Sequence, residues 1–256
     1  MSFIDKTNIV IKKNNNDLYY FDIDKDIVLT KINNKNDILL SKILFTGDYS
    51  FVDIWLDTNE KDNIYGIIND KKGKILNLNI EEDNIDKHTM IKYDYKNFIV
   101  KFPYTKHISN IKHTIYYSIN KSIPLLANLI HIYEDDNIYV KNTIDFIDYN
   151  ILSNFVVAYS NNRPIIFYFK LVDKFEELFV STFDLNSRSW SKPIQITKSN
   201  KNKIYLSVLQ DESSNYHIVF SENHDNKYYC KYVNISLENN FLKIKSFSGL
   251  NLCIIF

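Results

Sequence analysis

The chain has 256 residues, and its 31 Lys and Arg residues balance its 31 Asp and Glu residues, so that the formal net charge is zero. A neutral chain has no overall field that attracts nucleic acid or an anionic membrane surface, and neither is an expected partner. The sequence contains no signal-like apolar segment and no long apolar stretch free of charge. We therefore expect no membrane insertion, and a cytoplasmic location by default.

Residues that favour β-strands dominate the composition. The chain has 19 Tyr and 17 Phe but only 4 Gly, and isoleucine is abundant whereas alanine occurs only at Ala127 and Ala158. This composition predicts an all-β chain. The excess of Ile, Asn and Lys is also typical of an AT-rich coding sequence. Cys230 and Cys253 are too few for a disulfide framework or a zinc site, and no metal or cofactor is expected.

An Asn followed by a short apolar run recurs along the chain, at Asn16, Asn63, Asn110, Asn162 and Asn215. The spacings are 47, 47, 52 and 53 residues. An apolar strand-like segment precedes each copy and two more follow it, which gives four predicted strands per unit. Turns rich in Asn, Asp, Ser and Lys separate them, because Asn and Asp tolerate left-handed backbone conformations.

Four antiparallel strands in about 40–50 residues are typical of one β-propeller blade. Such a blade is apolar on both faces and must pack between neighbours. The units lie near residues 1–50, 51–97, 98–153, 154–203 and 204–249, with residues 251–256 predicted as a closing strand. We therefore predict a single domain over residues 1–256 that folds as a five-bladed β-propeller. An immunoglobulin-type sandwich is the alternative, but two sandwiches do not produce a five-fold repeat.

One hairpin carries a family resemblance. In the stretch TFDLNSRSWSKPIQIT, Asp184, Asn186, Ser189 and Trp190 resemble the Asp-box of sialidase-like and lectin-like propellers, with Asn in place of the usual Gly. The resemblance implies that Trp190 wedges between blades and that the element is structural. Sialidase activity is not expected, because sialidases bind the substrate carboxylate through three arginines and this chain has only Arg163 and Arg188.

The sequence carries no recognisable catalytic motif, and no catalytic residue is assigned. The chain has no nucleophile elbow, phosphate-binding loop or zinc-protease motif. Other glycosidases use two carboxylates across the scissile bond. The adjacent acidic residues are interpreted as solvated turns: Asp135–Asp136, Glu81–Glu82 and Glu176–Glu177. His113 and His217 occupy similar positions in their units and are interpreted as strand histidines. The segments DIDKD (Asp22, Asp24, Asp26) and DTNEKD (Asp57, Asn59, Asp62) lack the Gly and distal Glu of a calcium loop.

A repeated dipeptide marks the candidate binding face. Asp-Tyr precedes the first strand of three units, as Asp48–Tyr49, Asp94–Tyr95 and Asp148–Tyr149, at spacings of 46 and 54 residues. These pairs are predicted to lie around one rim, beside the SINKSIPLLAN and SENHDNK loops, where Tyr rings and carboxylates suit a sugar or a peptide. The alternative is that each Tyr packs between blades while its Asp caps a turn.

Two functions follow from these observations. The first is a non-catalytic binding or scaffold propeller that recognises a protein or a glycan, which the repeat and the absence of an assembled catalytic set favour. The second is a glycoside-active enzyme with carboxylate catalysis. A fold alone does not decide between them.

Overall fold

The computed structural model describes residues 7–108, 110–135, 138–148, 154–238 and 241–254. These residues form five antiparallel sheets and one short 3-10 turn, Phe51–Asp53. Sheet 1 contains β1 (Thr7–Lys12), β2 (Leu18–Ile32) and β3 (Ile38–Tyr49). Sheet 2 contains β4 (Ile54–Thr58), β5 (Ile64–Asn69), β6 (Lys74–Glu81) and β7 (Asn84–Lys92). Sheet 3 contains β8 (Phe98–Ile108), β9 (Ile111–Asn120), β10 (Leu126–Asp135) and β11 (Ile138–Asp148).

Sheets 4 and 5 complete the described chain. Sheet 4 contains β12 (Val156–Ser160), β13 (Arg163–Val172) and β14 (Phe175–Asp184), and both short strands β15 (Ser189–Trp190) and β16 (Ile194–Gln195) pair with β14. Sheet 5 contains β17 (Lys203–Gln210), β18 (Asn215–His224), β19 (Lys227–Glu238) and β20 (Phe241–Ile254). In sheets 2 and 5 the strands lie in chain order, as expected of a propeller blade.

Strand β2 supplies two strand segments to sheet 1. Its first half pairs with β1 and its second half with β3. The Lys31 ammonium lies 5.6 Å from the centre of the Tyr19 ring, whereas an unbroken strand would separate these residues by about 40 Å. The chain therefore folds back between them, where Lys25 adopts a left-handed conformation with φ 67°. Sheet 1 thus has the four segments of the other units.

The repeated asparagines lie in a turn or directly after one, close to where the sequence predicts them. Asn16, Asn110 and Asn162 have φ values of 68°, 68° and 60°. In the other two units the preceding residue takes this conformation, since Asp62 has φ 62° and Ser214 has φ 60°. The left-handed residue closes the tight turn that joins the first two strands of a unit.

By their contacts, the residues form two compact units. Unit 1 contains residues 1–105 and 114–121, and unit 2 contains residues 106–113 and 122–256. The core of unit 1 is built from alternate residues of sheets 1 and 2, among them Phe21, Ile27, Ile68 and Leu78. The core of unit 2 is built in the same way from sheets 4 and 5, among them Phe167, Leu178, Phe220 and Val233.

The all-β fold and the count of five sheets are confirmed. Two details differ from the predictions. Residues 251–254 continue β20, in which Ile254 pairs with Tyr228 of β19, so they do not form a separate closing strand; residues 255 and 256 lie outside the described residues. The segment SINKSIPLLAN is not a loop throughout, because its first residues end β9, its last residues begin β10, and only residues 121–125 form the turn. The single-domain assignment remains a prediction.

Candidate functional site

The first two predicted Asp-Tyr pairs lie in unit 1, at the ends of β3 and β7. Asp48 is exposed, but Tyr49 is only 8% exposed and its ring packs 5.9 Å from that of Phe45. Tyr95 is 46% exposed, and Asp94 beside it caps the turn by accepting hydrogen bonds from Lys96 and Asn97. The Tyr49 ring therefore belongs to the core, whereas the Tyr95 ring is open to a ligand.

The β5–β6 loop brings the two pairs together. Lys71 donates a hydrogen bond to the backbone carbonyl of Asp48, and its ammonium lies 5.4 Å from the centre of the Tyr49 ring. At the other end of the loop Gly73 has φ 96°, and a Cβ there would lie 3.0 Å from Cδ1 of Tyr95. The Tyr95 ring thus lies against a loop backbone that only glycine fits well.

The buried Asp53 holds this loop in place. Its carboxylate is fully buried and lies 2.9 Å from both the Lys71 and the Lys101 ammonium groups. The backbone N–H and the hydroxyl of Ser50 each donate to it at 3.0 Å. Four donors saturate the carboxylate, so Asp53 holds the loop in place and is not free to react.

Hydrogen bonds of the Asn69 side chain hold the start of the same loop in place. The Asn69 amide donates to the carbonyl of Val100 at 2.8 Å and its oxygen accepts a hydrogen bond from the Tyr93 hydroxyl at 2.6 Å. Burial, with a contribution from the nearby Asp70 charge, raises the pKa of Tyr93 to about 12. Tyr93 therefore remains a neutral hydrogen-bond donor at physiological pH.

The third predicted pair lies at the end of β11. Asp148 is exposed, and Tyr149 lies outside the described residues. The assignment of Asp48, Tyr49, Asp94, Tyr95, Asp148 and Tyr149 to one binding rim therefore remains a prediction.

In unit 2, a buried lysine joins two buried glutamates. The side chain of Lys203, the first residue of β17, is fully buried. Its ammonium lies 2.8 Å from Oε2 of Glu177 and 3.6 Å from Oε2 of Glu222, and it donates to Ser199 at 2.8 Å. Thr197 donates to Glu177 at 2.5 Å. We call Glu177, Thr197, Ser199, Lys203, Glu222 and His224 the Lys203 cluster.

The Lys203 cluster reaches the surface through His224. Nε2 of this histidine lies 2.8 Å from Oε1 of Glu222, and its side chain is 37% exposed. Burial raises the pKa of Glu222, but hydrogen bonds from Ser199 and His224 and the charges of Lys203 and Lys231 outweigh it, so the pKa lies below its usual range. An ionised carboxylate only accepts hydrogen bonds, so Nε2 of His224 carries the proton and Nδ1 of the neutral ring is a proton acceptor.

The cluster corrects one interpretation made from the sequence. Glu177 is 1% exposed and ion-paired, so Glu176–Glu177 is not a solvated turn. Glu81 and Glu82 are exposed, as expected, and Asp136 lies outside the described residues. Glu222 and His224 are not among the residues predicted from the sequence, although their Glu-x-His spacing places both side chains on one face of a strand.

The other singled-out residues have structural partners. Trp190 donates to Nδ1 of His131 at 3.1 Å, and Nε2 of His131 lies 3.0 Å from Nδ1 of His113. Because an indole nitrogen only donates, both rings are neutral tautomers in a fixed chain of hydrogen bonds. Within the described ranges, no group of three or more His, Cys, Asp or Glu residues could hold a metal ion, and no helix is long and apolar enough to cross a membrane.

Comparisons with known proteins establish the fold. No family model matches the chain, and no curated protein matches it. The GH93 α-L-arabinofuranosidase of Fusarium graminearum, in complex with arabinobiose, aligns with a TM-score of 0.56 and 11% identity over 78% of this chain and 66% of that chain. A PL25 ulvan lyase aligns with a TM-score of 0.59 and 8% identity over 96% of this chain and 73% of that chain. The same kind of lyase bound to -[GlcA(1-4)Rha3S]- aligns with a TM-score of 0.57 and 8% identity over 94% and 69% of the two chains.

The similar structures are propeller-type glycan-active enzymes, so the five-bladed β-propeller prediction is confirmed. The chain spans somewhat less than two thirds of the length of the arabinofuranosidase. The prediction of a non-catalytic binding or scaffold domain is wrong, because the similar structures are enzymes and agree better with the glycoside-active alternative. Protein partners have no support in these comparisons, and neither does the finer resemblance to Asp-box propellers.

Proposed function

We propose that the chain is a glycan-cleaving enzyme with the Lys203 cluster as its active site and His224 as its proton-transfer group. The observation that carries this proposal is the pairing of a partly exposed histidine with a buried, ionised carboxylate, Glu222, at 2.8 Å. The similarity of the fold to an arabinofuranosidase and to an ulvan lyase supports glycans as the substrate class.

The cluster favours acid–base chemistry through the histidine. Cleavage of a glycosidic bond requires a group that exchanges a proton with the sugar or with the leaving oxygen. A pair of carboxylates performs this only if one of them is protonated. Lys203 lies between Glu177 and Glu222, at 2.8 Å and 3.6 Å, so each carboxylate faces a cation and not a second carboxyl group. His224 is the partly exposed imidazole of the cluster, and an imidazole ring both accepts and donates protons.

The test is a cleavage assay on a panel of polysaccharides that includes neutral arabinans and sulfated, uronate-containing polymers. New reducing ends report any cleavage, and the ultraviolet absorbance of unsaturated uronates separates elimination from hydrolysis. We expect the unaltered chain to cleave at least one polymer. His224→Gln removes the proton acceptor and should lower kcat by about 100-fold or more.

The matched control is His88→Gln, which changes an exposed histidine of unit 1 and should leave the rate unchanged. Melting curves establish that both variants fold. No cleavage of any polymer by the unaltered chain, or full activity of a folded His224→Gln variant, contradicts the proposal.

A further inference from the structure

A second histidine of unit 2, at the opposite end of β17 and β18 from Lys203 and Glu222, connects an aspartate to a tyrosine. Oδ2 of Asp211 lies 3.1 Å from Nε2 of His217, and Nδ1 of His217 lies 2.7 Å from the Tyr232 hydroxyl. Asp211 follows β17, His217 lies in β18 and Tyr232 lies in β19. The side chains of Asp211 and His217 are about one third exposed, at 33% and 32%, and the Tyr232 side chain is partly buried.

The charge of Asp211 determines the direction of each hydrogen bond. Hydrogen bonds from the Asn215 side chain and backbone, and then from His217, lower the pKa of Asp211. The ionised carboxylate accepts a hydrogen bond from Nε2–H of His217, which leaves Nδ1 as an acceptor on the neutral ring. The Tyr232 hydroxyl therefore donates to Nδ1. A carboxylate that accepts a hydrogen bond from an imidazole, which itself accepts one from a hydroxyl, is the arrangement that activates a nucleophile.

Asn234 adds a donor beside this hydrogen bond. It lies opposite His217 in the β18–β19 pairing, and its amide nitrogen lies 3.2 Å from both the Tyr232 oxygen and Nδ1 of His217. A donor at this position stabilises negative charge on the phenol oxygen as the proton leaves for His217. Tyr232 thus has a base for its proton and a donor for the charge that remains.

Two buried polar atoms beside Tyr232 indicate that the site takes a ligand. Oδ1 of Asn234 and Oγ of Ser236 have no hydrogen-bond partner among the described residues. Ser236 is 5% exposed, and residues 232, 234 and 236 share one face of β19 because side chains alternate along a strand. Buried polar groups are nearly always hydrogen-bonded in native proteins, and an amide oxygen beside a hydroxyl suits a hydroxyl-bearing molecule.

We propose that Asp211, His217 and Tyr232 form a second reactive site, in which Tyr232 is an activated phenol that exchanges a proton with a hydroxyl-bearing ligand held by Asn234 and Ser236. This site is independent of the Lys203 cluster and of glycan cleavage there. Asp211 and His217 are positioning residues that act through Tyr232.

The activation of Tyr232 is tested with an aryl sulfonyl fluoride, a reagent that reacts with phenols next to a base. The phenol oxygen forms a bond to sulfur, the S–F bond breaks, fluoride leaves, and the phenol proton passes to His217. Peptide mass spectrometry measures labelling at Tyr232 against Tyr139, which is 61% exposed. We expect Tyr232 to react at least ten times faster than Tyr139 despite its lower exposure. Equal or slower labelling of Tyr232 overturns the proposal.

A further comparison separates activation from simple accessibility. His217→Gln should lower labelling at Tyr232 about tenfold while labelling at Tyr139 is unchanged. The melting curve of the variant establishes that it folds. Unchanged labelling of Tyr232 in the folded variant contradicts the role of His217.

Discussion

At the scale of single residues, the buried charges of this chain occur in compensated groups. Asp53 has two lysines and both donors of Ser50, and Lys203 has two glutamates and a hydroxyl. Removing a charge from water costs several kcal/mol, and partners in good geometry recover that cost. Replacement of one charged residue in such a group by a neutral one therefore leaves its partner buried without a counter-charge.

Lys203→Met provides the test of this compensation. The variant leaves the carboxylates of Glu177 and Glu222 buried, at 1% and 3% side-chain exposure, without their shared cation. We expect the free energy of unfolding to fall by about 3–5 kcal/mol, measured by urea denaturation. The control Lys227→Met changes an exposed lysine and should remain within about 0.5 kcal/mol of the unaltered chain. A loss below about 1 kcal/mol for Lys203→Met would show that the cluster contributes little.

At the scale of strands, the close approach of two paired strands limits which residue fits at a position. The sequence repeat does not reveal this limit. Gly66 lies in β5 opposite Leu56 of β4. A Cβ at this position would lie 2.3 Å from the backbone oxygen of Trp55 and 2.6 Å from Cδ2 of Leu56. The first of these contacts involves backbone, which cannot move without disturbing the β4–β5 ladder. Gly66 is therefore required by the close approach of the two strands.

Gly66→Ala should destabilise the chain for this reason. We expect the free energy of unfolding to fall by about 1–3 kcal/mol, the usual cost of overpacking a buried position, with a lower melting temperature. Thr89→Ala in β7 is the control, since this threonine is exposed and its replacement should change stability little. Equal melting temperatures for the two variants would mean that β4 and β5 separate easily.

At the scale of the whole molecule, the buried histidines link stability to pH. Burial, with a contribution from the nearby His107, lowers the pKa of His113 to about 4, and burial lowers that of His131 as well. In the unfolded chain both return toward 6.5. Above pH 6.5 the rings are neutral in both states, and the folded chain has its full stability. As the pH falls toward 4, the unfolded chain binds protons first, so the free energy of unfolding falls.

We therefore expect the free energy of unfolding to be about 2 kcal/mol lower at pH 5 than at pH 7 from His113 alone, with His131 acting in the same direction. Glu222 contributes in a lower window, below its usual pKa near 4.5, so it does not account for this change. Urea denaturation at several pH values measures the effect. His113→Phe should flatten the dependence between pH 7 and pH 5. An unchanged slope in that variant would assign the effect to other groups.

The local pattern of the sequence determines much of this protein. The spacing of the apolar runs predicts the strands, and the recurring Asn at their turns predicts the five units, because both depend on residues close together in the chain. The exposed Asp48 at the end of β3, and the exposed Asp94 and Tyr95 between β7 and β8, also lie just before the next unit, where the repeat predicts them. These properties follow from backbone preferences and strand alternation.

Only the tertiary structure decides which side chains meet. Glu177, Lys203 and Glu222 are separated by 26 and 19 residues in sequence and join because the ends of neighbouring strands converge. Tyr49 and Tyr95 share the same dipeptide, yet the Tyr49 ring packs in the core beside Phe45, whereas the Tyr95 ring lies beside Gly73 and is exposed. Chemistry at a site depends on such long-range contacts, which residue spacing within one unit does not encode.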